Sequence, residues 1–130
     1  MKPITLSPVG IIHCALTTSE ETPRNFDISN ETGTLEIYPR YLEAMDGIRP
    51  GQTLVVLFWL HQARRDLLKV YPRGDRSRGL HGVFATRSPM RPNPIAISEL
   101  QVLAVDGNTI KVSGVDVFNE TPILDMKKKV

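Results

Sequence analysis

The tripeptide Asp106-Gly107-Asn108, set between the apolar runs IAISELQVLAV and TIKVSGVDV, constrains this chain more than any other segment. An Asp-Gly step between two such runs favours a tight turn, and the flanking runs then pair as antiparallel neighbours. Other stretches fit the same architecture. The opening ITLSPVGIIHC is rich in Ile, Val and Thr, which suits a partly buried strand, and TLEIYP has the period-two pattern of a half-buried one. Residues 53–61, TLVVLFWLH, are too β-branched and aromatic for a surface helix and are assigned to a central strand. PRYLEAMDGI reads as a short helical turn ended by Gly47, while ARRDLLKVY at 63–71 suits a strand or a short helix equally well. Five to seven strands with no repeated alternation of strand and long helix predict an all-β fold, a mainly antiparallel, barrel-like sheet with one or two short helices.

A length of 130 residues matches one ordinary domain, so residues 1–130 are read as a single unit. Hydrophobic residues make up 41% of the chain, and no apolar run approaches the roughly 18 residues of a membrane span. The start, MKPITLSPVG, lacks the features of a secretory signal. A soluble, cytoplasmic protein with no membrane partner is expected. Cys14 is the single cysteine, which excludes an intrachain disulfide, and His13, His61 and His81 are too scattered for a local ligand pattern. No metal is expected.

The net charge of +2 hides an uneven distribution. Residues 1–63 carry four basic and seven acidic groups, residues 64–91 eight and two, and residues 92–130 four and five. Seven of the eight basic groups in the middle block are arginines, a side chain suited to bidentate contacts with phosphate. Charge alone fits a polyanionic partner and a solvated loop equally.

Two polar segments read as surface loops: residues 17–33, which contain Pro23, Arg24 and Asn25, and residues 72–79, PRGDRSRG. A third is more restricted. In FATRSPMRPNPIAIS, Pro89, Pro92 and Pro94 each fix their own φ and push the preceding residue out of helical space. Arg87 and Arg91 are therefore carried on a stiff backbone, and Asn93, between two prolines, has an amide that both donates and accepts. Such a segment either connects strands or presents these side chains to a ligand.

The same segment resembles the signature of the TsaA/TrmO family. PVGIIHC is similar to that family's opening strand, Pro23-Arg24-Asn25 to its Pro-Arg-Gln loop, WLHQ to its strand ending in His-Gln, and DVFNETPILDMK to its closing Asp-x-x-x-Gly-Thr-Pro-x-x-Asp-Ile-Lys. The resemblance runs from about Gly10 to Lys127. It implies a β-barrel-like methyltransferase that uses S-adenosylmethionine, acts as a homodimer, and methylates the threonylcarbamoyl-modified adenosine beside the tRNA anticodon, at position 37. It further implies that Pro23, Arg24, Asn25, His61, Gln62, Arg87, Ile97, Asn119, Glu120, Thr121 and Pro122 surround the cofactor. No GxGxxG or phosphate loop offers another nucleotide site.

Methyl transfer from a sulfonium depends mainly on placing the acceptor opposite the methyl group in a dry pocket. An acylated adenine nitrogen is weakly nucleophilic, so a proton acceptor helps. His61 and Asn93 are the candidate catalytic residues, His61 serving either as that acceptor or as a hydrogen-bond partner of the cofactor. Arg64, Arg65, Arg73, Arg76, Arg78 and Arg91 are the candidate tRNA contacts, by charge density and not by motif. Lys127, Lys128 and Lys129 either extend that surface or form a solvated tail.

Several features depart from the family pattern, Met126 in place of isoleucine among them. Glu120 stands where most members have glycine, Ala96 where a glycine usually follows RPNPI, and the ending LDMKKKV replaces the usual Lys-Pro-Tyr. Glycine at position 120 would permit a positive φ or a close approach of backbone to cofactor. The alternative reading is an S-adenosylmethionine-binding or RNA-binding module without this activity, or a methyltransferase for another acceptor.

Overall fold

The computed structural model describes residues 1–17 and 29–130. Among these, β1 (Gly10–Cys14), β2 (Thr32–Ile37), β3 (Thr53–Trp59), β6 (Ile95–Asp106), β7 (Thr109–Ser113) and β8 (Pro122–Lys128) close a barrel in the order β1-β2-β7-β6-β3-β8. The pairings β1–β2, β1–β8, β2–β7, β3–β8 and β6–β7 are antiparallel. Two further strands, β4 (Lys69–Val70) and β5 (His81–Gly82), form a separate antiparallel ladder. The expected all-β barrel is thus the observed one. Helical structure among the described residues consists of 3-10 turns, the longest being Pro39–Met45, where the helical turn was expected. None is long and apolar enough to cross a membrane.

The chain divides into two compact units, Met1–Phe58 with Ile97–Val130, and Trp59–Ala96. The first contains most of the barrel. Its interior follows directly from period-two patterning: Leu35 and Ile37 on β2, Leu54, Val56 and Phe58 on β3, Leu100 and Val102 on β6, and Ile110 and Val112 on β7 all point inward and are almost fully buried. Each such side chain contributes about 1.5–3 kcal/mol of apolar burial. The Asp106-Gly107-Asn108 turn lies where the sequence puts it, with Val105 opposite Ile110, Asp106 opposite Thr109, and Gly107 at φ 58°. A register shift between Val102 and Ala104 adds the local bend that small barrels need. Gly10 meets a different demand. It pairs with Ile37 on one side and Ile123 on the other, and a Cβ there would come within 2.3 Å of the Glu36 carbonyl oxygen.

Strand β8 is the element the sequence concealed. Its segment PILDMKK looks like a charged tail, yet Lys127 pairs opposite Val55 and Lys128 opposite Leu54, while Lys129 forms an ion pair with Glu99 at 2.5 Å. The three lysines therefore close the barrel and do not form a loose tail. Strand β2 likewise begins at Thr32, inside the expected 17–33 loop.

In the second unit the ambiguous 63–71 stretch becomes extended only at Lys69–Val70. Val70 and Val83 supply its buried aliphatic side chains. The 72–79 loop is ordered as two short 3-10 turns, Pro72–Gly74 and Arg76–Arg78. Asp75 caps the second by accepting from the Ser77 backbone N–H at 2.9 Å and the Ser77 hydroxyl at 2.6 Å, and these bonds hold its carboxyl below the usual range.

Candidate functional site

The predicted site residues fall into three groups. Ile97, Asn119, Glu120, Thr121 and Pro122 belong to the first unit; His61, Gln62, Arg87, Asn93 and the six candidate tRNA arginines belong to the second; Pro23, Arg24 and Asn25 lie outside the described residues.

In the first unit, residues 119–122 form a turn fastened to β1 at several points. The Glu120 N–H donates to the Ile12 carbonyl at 2.8 Å, and the Ile12 N–H donates to the Thr121 carbonyl at 3.2 Å. The Asn119 N–H donates to Leu16, and the Asn119 side-chain oxygen accepts from the Cys14 N–H at 3.0 Å. Thr121, 2% exposed, closes the turn by donating its hydroxyl to Phe118 at 2.6 Å. With both neighbours engaged, Glu120 is left exposed at φ 66°, the left-handed region that favours glycine. The backbone thus follows the path a glycine would take, with a carboxylate added to it.

Ser98, next to the part-exposed Ile97, is fully buried and donates its hydroxyl to the Asp116 carboxylate at 2.6 Å. Sequence reasoning missed this pair. Its signal was a serine in the inward register of IAISELQV, a polar group that burial obliges to find a partner.

In the second unit, His61 and Gln62 follow β3 and are both exposed, with the His61 N–H donating to the Trp59 carbonyl at 3.0 Å. The proline-rich segment is held from within. Arg91 donates to the backbone carbonyls of Ser88 at 2.9 Å, Thr86 at 2.7 Å and Val83, so its guanidinium is engaged by the segment that carries it. Arg65 donates to Pro92 at 2.7 Å and to the Asn93 side-chain oxygen at 3.2 Å, and lies 5.2 Å from the Trp59 ring centre. Arg64 forms a bidentate pair with Asp66, which holds that carboxyl below its usual range and raises the arginine. Arg76 covers the Tyr71 ring at 4.9 Å, and Arg78 lies 3.7 Å from Asp75. Arg73 sits at φ 55° in an exposed turn, and Arg87 is exposed at the head of the proline-rich stretch.

A hollow of about 320 Å³ in the first unit lies between the Ala44–Ile48 region, β3 and β8, and includes none of these residues. No cluster of three or more His, Cys, Asp or Glu able to hold a metal occurs among the described residues.

Residues 11–130 match the family model described as the tRNA-methyltransferase O N-terminal domain. A relative from Methanothermobacter thermautotrophicus, named a probable S-adenosyl-L-methionine-binding protein, is 37% identical over 124 residues, covering 95% of this chain and 88% of its own. An S-adenosyl-L-methionine-binding protein from Archaeoglobus fulgidus is 34% identical over 123 residues, covering 95% and 87%. The crystal structure of TrmO from Pseudomonas aeruginosa superimposes with a TM-score of 0.80 at 30% identity, covering 99% of this chain and 57% of that one. The chain therefore spans a little over half the length of the solved TrmO chain. By the extent of these matches it belongs to the family of tRNA-methyltransferase O N-terminal domains.

Proposed function

We propose that residues 1–130 form one catalytic domain that binds S-adenosylmethionine and methylates the N6 nitrogen of the threonylcarbamoyl-modified adenosine at position 37 of tRNA, working as a cytoplasmic homodimer. The observation that carries this reading is the family match over residues 11–130, which includes the proline-rich signature and the 119–122 turn. The chemistry of the side chains fits the cofactor. Within the second unit Arg87 suits a carboxylate and Gln62 an amino group; within the first, the carboxylate of Glu120 suits an amino group and Ile97, 40% exposed, offers apolar surface.

When bound, S-adenosylmethionine supplies an electrophilic methyl group on a cationic sulfur. The protein's contribution is to orient the acceptor nitrogen and to exclude water, since positioning supplies most of the rate in an in-line displacement. Asn119 and Thr121, engaged by β1 and Phe118, fix the path of the turn before any ligand arrives. His61 is exposed and able to accept the acceptor's proton at an imidazole nitrogen, or to hydrogen-bond the cofactor. Asn93, whose amide oxygen is taken by Arg65, offers its NH2 group to the substrate. Arg73, Arg76 and Arg78 are the phosphate contacts of the reading, with Arg64, paired to Asp66, and Arg65, bonded to Pro92, as further candidates; Arg91 serves to hold the proline-rich segment.

Incubation with labelled S-adenosylmethionine and tRNA carrying or lacking the threonylcarbamoyl group tests this. Label in the modified tRNA alone is the expected result. Cofactor binding with transfer to neither tRNA would identify a binding module, and transfer to the unmodified tRNA a methyltransferase for another acceptor. His61→Gln assayed at saturating cofactor separates the two roles of that residue, because turnover survives if it only binds. Sedimentation of the purified protein reads the oligomeric state.

A further inference from the structure

We propose that Phe84 is a stacking platform for an unpaired RNA base, carried on a segment whose charge suits the flanking phosphates. The proposal rests on the tRNA reading above and assigns a contact within it.

Phe84 is 88% exposed, the most exposed aromatic side chain in a unit whose other large apolar groups at the surface, Leu68, Leu80 and Ile95, are exposed by 69%, 56% and 40%. It sits in the 3-10 turn Val83–Ala85, and that turn is fixed from several directions. Val83 is 2% exposed and anchors the turn from below. Its N–H donates to Leu68 at 3.0 Å, and its carbonyl accepts from the Thr86 N–H at 3.1 Å, the Thr86 hydroxyl at 3.0 Å and the Arg91 guanidinium. An aromatic ring is therefore held out into solvent on a backbone with little freedom to withdraw it, so little ordering entropy remains to be lost on binding.

The surrounding charge selects the partner. Residues 64–91, the segment that carries Phe84, have eight basic groups against two acidic ones. Even with Arg64 paired to Asp66 and Arg78 close to Asp75, the basic groups of this segment outnumber the acidic ones by six, an excess that suits a polyanion, and single-stranded RNA pairs each flat, apolar base face with a phosphate. The face must come from an unpaired base, because a base inside a helix is already stacked.

Fluorescence anisotropy with an anticodon stem–loop RNA tests the proposal on the intact protein. Because Phe84 is exposed, its substitution leaves the fold in place. Phe84→Ala and Phe84→Leu are expected to weaken binding by about tenfold or more, Phe84→Tyr to retain it, and the salt dependence to stay unchanged, as follows when stacking is lost and phosphate contacts are kept. A stem–loop made abasic at the stacked nucleotide should bind the unaltered protein as weakly as Phe84→Ala binds the complete RNA. Absence of RNA binding by the unaltered protein would overturn the tRNA reading and this assignment together. Binding by the unaltered protein that Phe84→Ala or Phe84→Leu shares in full would overturn the assignment alone. So would a Phe84→Ala protein that loses self-association while keeping its RNA affinity, since the ring then belongs to a contact between copies of this chain.

Discussion

Ser98 and Asp116 are joined by a hydrogen bond of 2.6 Å in which the serine hydroxyl donates to the carboxylate. Ser98 lies in the inward register of β6 with Leu100 and Val102 and is fully buried, so it brings a polar group into an otherwise apolar row. The bond ties β6 to the connection between β7 and β8, which leads into residues 119–122. Ser98→Ala should destabilise the protein by about 1–3 kcal/mol, because the hydrogen bond from this buried hydroxyl to a carboxylate is lost. Urea unfolding measures it. A change within experimental error would mean that the bond adds nothing to the fold.

Glu120 provides a prediction of the opposite sign. The left-handed region costs a residue with a Cβ about 1–2 kcal/mol, part of which glycine gives back through the greater freedom of its unfolded chain. Glu120→Gly should therefore raise stability by about 0.5–1 kcal/mol, with Glu120→Asn between the two and Glu120→Val below the natural protein. Thermal unfolding of the three variants reads the order. If valine equalled glycine, the φ of 66° would carry no strain.

These two residues mark where the sequence stopped being legible. The Asp106-Gly107-Asn108 turn, the apolar run of β3 and the period-two rows of the barrel could be read because local turn chemistry and burial leave a pattern in composition. Strand β8 could not, since in PILDMKK only Ile123 is fully buried and the polar outward positions look like a solvated tail. The positive φ at Glu120 was foreshadowed only by the glycine of similar sequences, as nothing in the string NETP itself requires it. The pairing of Ser98 with Asp116, and the commitment of Arg91 to its own loop, depend on distant or irregular backbone that residue spacing does not encode.

Cys14 gives a pH-dependent expectation. Burial pushes its thiol above the ordinary range, with the charge of Glu31 adding to the shift and a backbone hydrogen bond at Leu16 opposing it. At neutral pH the group is a thiol, so iodoacetamide should modify Cys14 more slowly than a free model thiol, with the rate rising only at more alkaline pH. A folded value above the unfolded one stabilises the protein below the unfolded value, and that contribution is lost as pH rises through the folded one. Stability should accordingly decline on the alkaline side, and Cys14→Ser should remove that part of the decline. Alkylation as fast as that of the model thiol would show that burial does not protect the group.

Arg91 carries the last prediction, which concerns the stiffness of the proline-rich segment. Prolines at 89, 92 and 94 restrict φ, and the Arg91 guanidinium adds bonds to the carbonyls of Ser88, Thr86 and Val83, the last of which also accepts from the Thr86 N–H and hydroxyl. Lysine has one ammonium in place of a planar fork and cannot span that set. In Arg91→Lys, the amide of Thr86, which donates to Val83 at 3.1 Å, should exchange with solvent about tenfold faster, the equivalent of one hydrogen bond to a charged group. Amides in the barrel, such as those of Ile12 and Ile37, should keep their exchange rates, because their partners lie in the first unit. Unchanged exchange at Thr86 would mean that the prolines alone stiffen the segment.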